Sequence, residues 1–377
     1  LNKLTPNQRN LLNFSGGPGA LAESVLSQVQ QSIHAVPGVG LSILGISHRS
    51  KWFTDLVLDT EDRIKSLLSL PSDYHVLFLQ GGATQQFSTI SAAFNNNPTH
   101  PAEYLDTGYW SAKSIEGAHP SLGINSSDSH KLKVVWSGKG QKYTLLPRND
   151  ELVLDPKASY FHYISNETVE GLQFKELMGL PNVPRICDMS SDFLSAPIQA
   201  HEYALIYAHA QKNLGPAGVT VVVIKDSLMK QMPNEFPAFL DYRVQAKAHS
   251  NFNTPPVFAI YVVNLITKWL VEEIGGLVNM QKINEQKAST LYGQIDQSQG
   301  FYKSSVNLSN RSLMNISFNL QSPELEARFL ELASNEGFSG LSGHRSIGGI
   351  RASLYNGVTL EATQKLGRFM EQFKNAI

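Results

Sequence analysis

Between about residues 20 and 265, short apolar runs alternate with stretches patterned for helices. "HVLFLQ" (75–80) precedes the helix-like "FSTISAAF", and "SYFHYIS" (159–165), "RICDMS" (185–190), "YALIY" (203–207) and "VTVVVI" (219–224) follow. Such runs, apolar at nearly every position and separated by helical segments, predict a mostly parallel α/β sheet with helices on both faces. The pattern changes in the last hundred residues. "LMNISFNL" (313–320) predicts a strand. "SPELEARFLELASNEG" (322–337) predicts a helix with Ser322 as N-cap, Pro323 at its first position and Gly337 as its stop. "GGIRASLY" and "TLEATQKLGRFMEQF" repeat that strand–helix order. The expected organisation is an N-terminal arm (1–19) packed on a small C-terminal α/β domain (269–377), a large α/β domain (20–268), and a site in the cleft between the domains.

Composition narrows the partners. Over 377 residues, 31 Lys+Arg stand against 32 Asp+Glu, a net charge of −1 that offers no footprint for nucleic acid or an anionic membrane. An anionic ligand must then be held by a few placed side chains. The single cysteine, Cys187, excludes an internal disulfide framework and fits a cytoplasmic protein. The opening "LNKLTPNQRNLLNF" does not read as a secretion signal. The longest apolar stretch, "VFAIYVVNLITKWL" (257–270), is shorter than the roughly 20 residues of a membrane span and carries Asn264 and Lys268. No zinc-ligand spacing, nucleophile elbow or P-loop is present, so no metal site is expected.

Several stretches carry chemistry. Lys212 sits between two strand-like runs in "YAHAQKNLGPAG", and Asp188 ends the run "RICD". A carboxylate at the end of a buried strand needs a cation or donors. "LQGGATQQ" sets two glycines before a helix start, a pattern that serves a simple turn more often than a phosphate site. In "NFNTPPVFAIY", Thr254 is the expected N-cap and Pro255 the first helical residue, so that Asn253 and Thr254 display polar groups at a positive helix end. Trp110 in "DTGYW" suits either a core or a stacking role, and Thr168 in "SNETVEG" offers a hydroxyl. His48-Arg49 and His344-Arg345 repeat one dipeptide, with Arg351 close behind. Arginines grip carboxylate and phosphate bidentately, which points to a small acidic, dianionic ligand. Together these pieces match what pyridoxal phosphate chemistry requires: a lysine for an aldehyde, a carboxylate for the ring nitrogen and a cradle for the phosphate.

The motifs "NFSGGPGAL", "SHRS", "DTGYW", "SNETVEG", "AQKNLGPAG", "FNTPP" and "GHRSIGGIRASLYN" run nearly end to end. On them, the chain resembles the phosphoserine aminotransferases, fold-type-I pyridoxal 5′-phosphate enzymes within the class-V aminotransferase family. The resemblance implies a large domain with a seven-stranded sheet, a smaller C-terminal domain, and a homodimer with shared active sites. It implies ping-pong transamination between L-glutamate and 3-phosphohydroxypyruvate, giving O-phospho-L-serine and 2-oxoglutarate, together with a phosphohydroxythreonine step of vitamin B6 synthesis. By the same resemblance, Lys212 bonds the cofactor aldehyde and shuttles a proton, Asp188 pairs with the pyridinium nitrogen, and Trp110 stacks on the ring. Thr168 binds the ring oxygen, Gln211 lies against the cofactor, and Ala83 and Thr84 hold its phosphate. Asn253 and Thr254 reach that phosphate from the other subunit. Arg351 is assigned to the substrate α-carboxylate, and His48, Arg49, His344 and Arg345 to its distal anion. Thr84 stands where some bacterial relatives carry arginine, and Gly16 where serine often stands.

Overall fold

The computed structural model describes residues 10–95, 97, 99–118 and 132–377. Seven strands form the central sheet: β1 (Tyr74–Leu79), β2 (Glu103–Asp106), β3 (Lys133–Ser137), β4 (Phe161–Ile164), β7 (Arg185–Asp188), β8 (Leu205–His209) and β9 (Thr220–Lys225). Their order is β1-β9-β8-β7-β4-β2-β3, with β9 antiparallel to both neighbours and every other pairing parallel. One short antiparallel pair, β5 (Asn166–Glu167) with β6 (Leu172–Gln173), follows β4. Because β1 and β8 both run against β9, the carboxyl ends of β1, β8, β7, β4 and β2 share one edge, the edge at which ligands of such sheets bind.

The continuous apolar runs have a simple cause: both faces of the sheet are covered. Val221 and Val223 pack on one side with Phe53, Val57 and Ile64 of α2 (Lys51–Leu67) and Ile260 and Val263 of α5 (Val257–Glu272). Val222 and Ile224 pack on the other with Phe87 and Ile90 of α3 (Gly82–Phe94), Tyr104 and Tyr207. α1 (Glu23–His34) joins the first layer through Val25, and α4 (Tyr109–Ala118) the second through Ala118. Each such side chain stabilises the fold by about 1.5–3 kcal/mol relative to exposure.

A separate apolar cluster lies towards the C-terminus, on the antiparallel pair β10 (Asn315–Phe318) and β11 (Ile350–Ser353). α6 (Leu277–Asp296), α7 (Pro323–Asn335) and α8 (Leu360–Asn375) cover it through Leu291, Phe329, Leu366 and Phe373. The N-terminal segment is stitched into this layer: Phe14 N–H donates to Ser339 O, Ser339 N–H to Leu12 O, and Ser353 N–H to Phe14 O. Residues 1–9 of the expected arm lie outside the described residues. α6 bridges the layers, with Leu277 and Met280 in the larger core and Leu291 and Ile295 in the smaller. α7 starts as its sequence predicts, with Ser322 Oγ accepting from Leu325 N–H at 3.3 Å.

α5 does not begin at Pro255 with Thr254 as its cap. It begins at Val257, with Pro256 in the N-cap position and no side-chain cap. The second proline explains the shift, because a residue that precedes proline is pushed out of the helical region, and that residue is Pro255. Among the described residues, no helix is long and apolar enough to cross a membrane, and no cluster of three or more His, Cys, Asp or Glu could hold a metal ion.

Candidate active site

β7 delivers Asp188 and the turn after β8 delivers Lys212 to the same edge of the sheet. Both are buried. The Lys212 turn is tied down on two sides: Leu214 and Gly215 N–H both donate to Ala210 O, and Gly19 N–H donates to Gln211 O at 2.7 Å. Lys212 Nζ donates to Thr168 Oγ1 at 2.6 Å and lies 5.2 Å from the centroid of the Trp110 ring. Burial is the main force on this amine and brings its pKa down to about 8; the positive charge of Arg351 adds to the shift, and Asp188 and Glu167 oppose it. Burial likewise raises the Asp188 pKa, with the Lys212 charge the leading counterweight. Ser190 N–H donates to Asp188 Oδ1 at 2.7 Å. Cys187, its neighbour, is fully buried, and burial pushes its thiol pKa up.

Two acidic residues that sequence reasoning passed over hold Trp110 in place. Glu167 accepts from Trp110 N–H (3.1 Å), Ser111 N–H (3.0 Å) and Thr107 Oγ1 (3.1 Å), so one carboxylate collects the free amides that open α4. Glu170 accepts from Tyr109 N–H at 2.9 Å. Burial, then the nearby Glu167, raise the Glu170 pKa to about 8. The signal was present in "SNETVEG", where two acids three residues apart bracket Thr168.

On the other side of the cavity, β1 turns into α3 through Gly81 and Gly82, at φ 94° and 74°. Those left-handed values are cheap only for glycine, and they aim the first-turn amides of α3 at the edge of the sheet. Gly82, Thr84, Trp110, Asp188, Gln211 and Lys212 line a cavity of about 250 Å³, which Ala83 also borders. Gln211 Oε1 is buried without a partner. A cavity with a helix N-terminus at one end, a buried carboxylate and an aromatic face beside it, and a weakly basic amine on its wall fits pyridoxal phosphate group by group.

Arg351, on β11, reaches across from the C-terminal layer. Its Nη1 donates to Thr168 O at 3.4 Å, and its Nε is buried without a partner. Burial lowers its pKa. His344 stands with its ring 4.6 Å from that of Tyr109, the residue before Trp110, while Arg345 is exposed. A lysine, a carboxylate, an aromatic plate, a helix N-terminus and a guanidinium therefore converge from both layers of the fold.

The family model for class-V aminotransferases matches residues 11–366. The chain belongs to the class-V aminotransferase family. It is 44% identical to the phosphoserine aminotransferase of Geobacillus kaustophilus (strain HTA426), covering 96% of this chain and 98% of that one. The solved phosphoserine aminotransferase of Bacillus circulans subsp. alkalophilus superposes with a TM-score of 0.91 at 43% identity, covering 96% of this chain and 98% of that one. A pyridoxal phosphate-bound phosphoserine aminotransferase from Trichomonas vaginalis superposes with a TM-score of 0.86 at 34% identity, covering 96% and 99%.

Not every residue singled out from the sequence of this class-V aminotransferase lines the Lys212 cavity. Thr168, His344, Arg345 and Arg351 stand outside its walls, and so do His48, Arg49, Asn253 and Thr254. Asn251 Nδ2 donates to His48 O at 2.8 Å, Gln80 Nε2 to Thr254 O, and Gln245 Nε2 to Asn253 Oδ1 at 3.2 Å. Exposed Leu41, Leu44 and Phe252 lie on the same two segments of chain.

Proposed function

We propose that this chain transfers the amino group of L-glutamate to 3-phosphohydroxypyruvate, forming O-phospho-L-serine and 2-oxoglutarate, with pyridoxal 5′-phosphate as cofactor. The observation that carries this reading is the convergence of Lys212, Asp188 and Trp110 on a single cavity that the N-terminus of α3 also borders, with Thr168 bonded to the Lys212 amine and Arg351 bonded to Thr168. When bound, the cofactor supplies an aldehyde to receive the amino group and an electron-withdrawing ring that eases loss of the substrate's Cα proton.

The residues of the chain do the rest. With a pKa near 8, the Lys212 amine is partly neutral at working pH and so able to act as nucleophile and to take a proton from the substrate Cα. Thr168 Oγ1 fixes the direction from which that amine acts. Asp188 holds the proton of the ring nitrogen, and that cation in turn relieves the cost of burying its carboxylate. Trp110 supplies a flat face, and the amides of Gly82, Ala83 and Thr84 receive the phosphate. Arg351 takes the α-carboxylate common to every substrate, and His344 and Arg345 the distal phosphate, or the side-chain carboxylate of glutamate. His48, Arg49, Asn253 and Thr254 act on the site of a second copy of the chain, which makes a homodimer the working unit. Phosphohydroxythreonine carries the same two anionic ends and is a further substrate of this site. We assign residues 20–268 and 269–377 to the two domains that border the substrate cleft, with the N-terminal arm packed on the second, and place the enzyme in the cytoplasm.

A single assay tests the reading: turnover of glutamate by the cofactor-loaded enzyme with 3-phosphohydroxypyruvate, hydroxypyruvate and pyruvate. The phosphorylated acceptor is expected to be strongly preferred. Arg345→Ala is expected to lower its kcat/KM by about 10- to 150-fold, the equivalent of one charge-assisted contact, with little effect on the unphosphorylated acids. Equal losses for all three acceptors overturn the assignment of Arg345.

A further inference from the structure

Asp188 has a polar chain beside it that no role above employs. Ile164, Asp188 and Tyr207 are register partners on β4, β7 and β8, and His162 lies two residues before Ile164, on the same face of the sheet. His162 Nε2 is 2.9 Å from the Tyr207 hydroxyl, and both side chains are buried within the layer that carries α3. Tyr207 thus stands beside Asp188 on the adjoining strand, and its hydroxyl is among the groups that favour the charged form of the Asp188 carboxyl. His162 Nδ1 is buried with no partner, and the Tyr104 ring packs 4.7 Å from the imidazole.

The orphaned nitrogen fixes the direction of the hydrogens. A phenol has one proton to give. If Tyr207 gave it to His162, the imidazole proton would sit on Nδ1 as a buried N–H without an acceptor, and Asp188 would lose a donor. If Tyr207 gives it to Asp188, Nε2 carries the imidazole proton and donates it to the phenol oxygen, leaving only a bare lone pair at Nδ1. Buried N–H groups without partners are the rarer and costlier of the two. Both considerations select the same arrangement: His162 Nε2–H to Tyr207 O, and Tyr207 O–H to Asp188.

We propose that His162 and Tyr207 are positioning residues, a two-step chain of donors that keeps Asp188 ionised and aimed into the cavity. The proposal rests on the reading that Asp188 pairs with the ring nitrogen of the cofactor. Its physical logic is that burial penalises the Asp188 charge, and a neutral relay offsets the penalty without adding a second charge to the core. Burial alone takes the His162 pKa down to about 3, so the imidazole is neutral throughout the working range. Among the other ionisable groups around Asp188, Lys212 on the turn after β8 favours its charge, whereas Asp192 on the turn after β7 and Cys187 beside it do not. Tyr207 and the distant His162 therefore supplement a single cation.

The decisive measurement is the tautomer of His162 in ¹⁵N-histidine-labelled full-length protein, with and without pyridoxal phosphate, the resonance being assigned by its loss in His162→Gln. Protonation at Nε2 with a bare Nδ1 is expected; protonation at Nδ1 overturns the proposal. Once the resonance is assigned, this wild-type readout does not depend on turnover. Tyr207→Phe, checked for an unchanged thermal melt, is expected to bind pyridoxal phosphate about tenfold more weakly, the lower end of the range for a hydrogen bond to a charged group. His162→Leu is expected to weaken binding in the same direction, and His162→Gln, whose amide is also a donor, to restore most of it. Unchanged affinity in Tyr207→Phe, or equal losses in His162→Leu and His162→Gln, also overturns the relay. Failure of the underlying functional reading is distinguishable, because the wild-type protein would then bind no pyridoxal phosphate at all while the tautomer result stood.

Discussion

Gly16 shows how a residue without a side chain shapes the site. A Cβ at this position would collide with the Arg351 guanidinium, with Nη2 the first atom struck. Glycine therefore leaves the space in which Arg351 lies against Thr168, and the Tyr355 hydroxyl, donating to Gly16 O at 2.8 Å, pins the segment there. The struck atoms are the far end of a flexible side chain, so Gly16→Ser is expected to fold normally and to displace the guanidinium. With Arg351 assigned to the α-carboxylate in both half-reactions, KM for glutamate and for the phosphorylated acceptor should rise together, by about tenfold, with a smaller change in kcat. Steady-state kinetics in both directions check this. An effect confined to one substrate would place Arg351 at the distal anion instead, where His344 and Arg345 are assigned.

At the scale of elements, legibility followed locality. The helix at 322–337 was readable because its cap, its proline and its glycine stop act on adjacent backbone. Ser322→Ala removes a cap worth about 1 kcal/mol, which should appear as roughly fivefold faster hydrogen exchange in the first turn of α7 with kcat and KM unchanged. No change in exchange would mean that α7 is held by the packing of Phe329 alone. The apolar runs gave the strands for the same local reason. The direction of β9 was not readable, because a run of buried valines looks the same whether it pairs parallel or antiparallel. The start of α5 departs from the Thr254 cap that the Thr-Pro pair predicts, because the second proline keeps Pro255 out of the helical region. Lys212, Asp188 and Thr168 stood out through motif and strand-end position. Glu167 and the His162–Tyr207 pair did not, since their meaning lies in contacts between segments that the fold, not the sequence, makes neighbours.

At the scale of the whole molecule, one chain gathers only part of the proposed machinery. Lys212, Asp188, Trp110, Thr84 and Gln211 line one cavity, whereas His48, Arg49, Asn253 and Thr254 are not in its walls and share their two stretches of chain with exposed apolar residues. Polar residues outside the walls of their own chain's cavity, on segments that carry exposed leucines and a phenylalanine, suit a two-fold contact in which each copy lends its patch to the other's cavity. This can be decided by mixing two inactive proteins. Lys212→Ala keeps Arg49, and Arg49→Ala keeps Lys212. In a mixed dimer, one cavity then receives Lys212 from one chain and Arg49 from the other, while the second cavity has neither. Random reassortment makes about half the dimers mixed, each with one of two sites intact, so an equimolar mixture refolded together should regain about one quarter of wild-type activity. If Arg49 served its own chain's cavity, every site in every dimer would lack one group and the mixture would stay inactive. Recovery that appears only when subunits are allowed to exchange, and fades when the protein is diluted to monomers, would assign the patch to the partner's substrate.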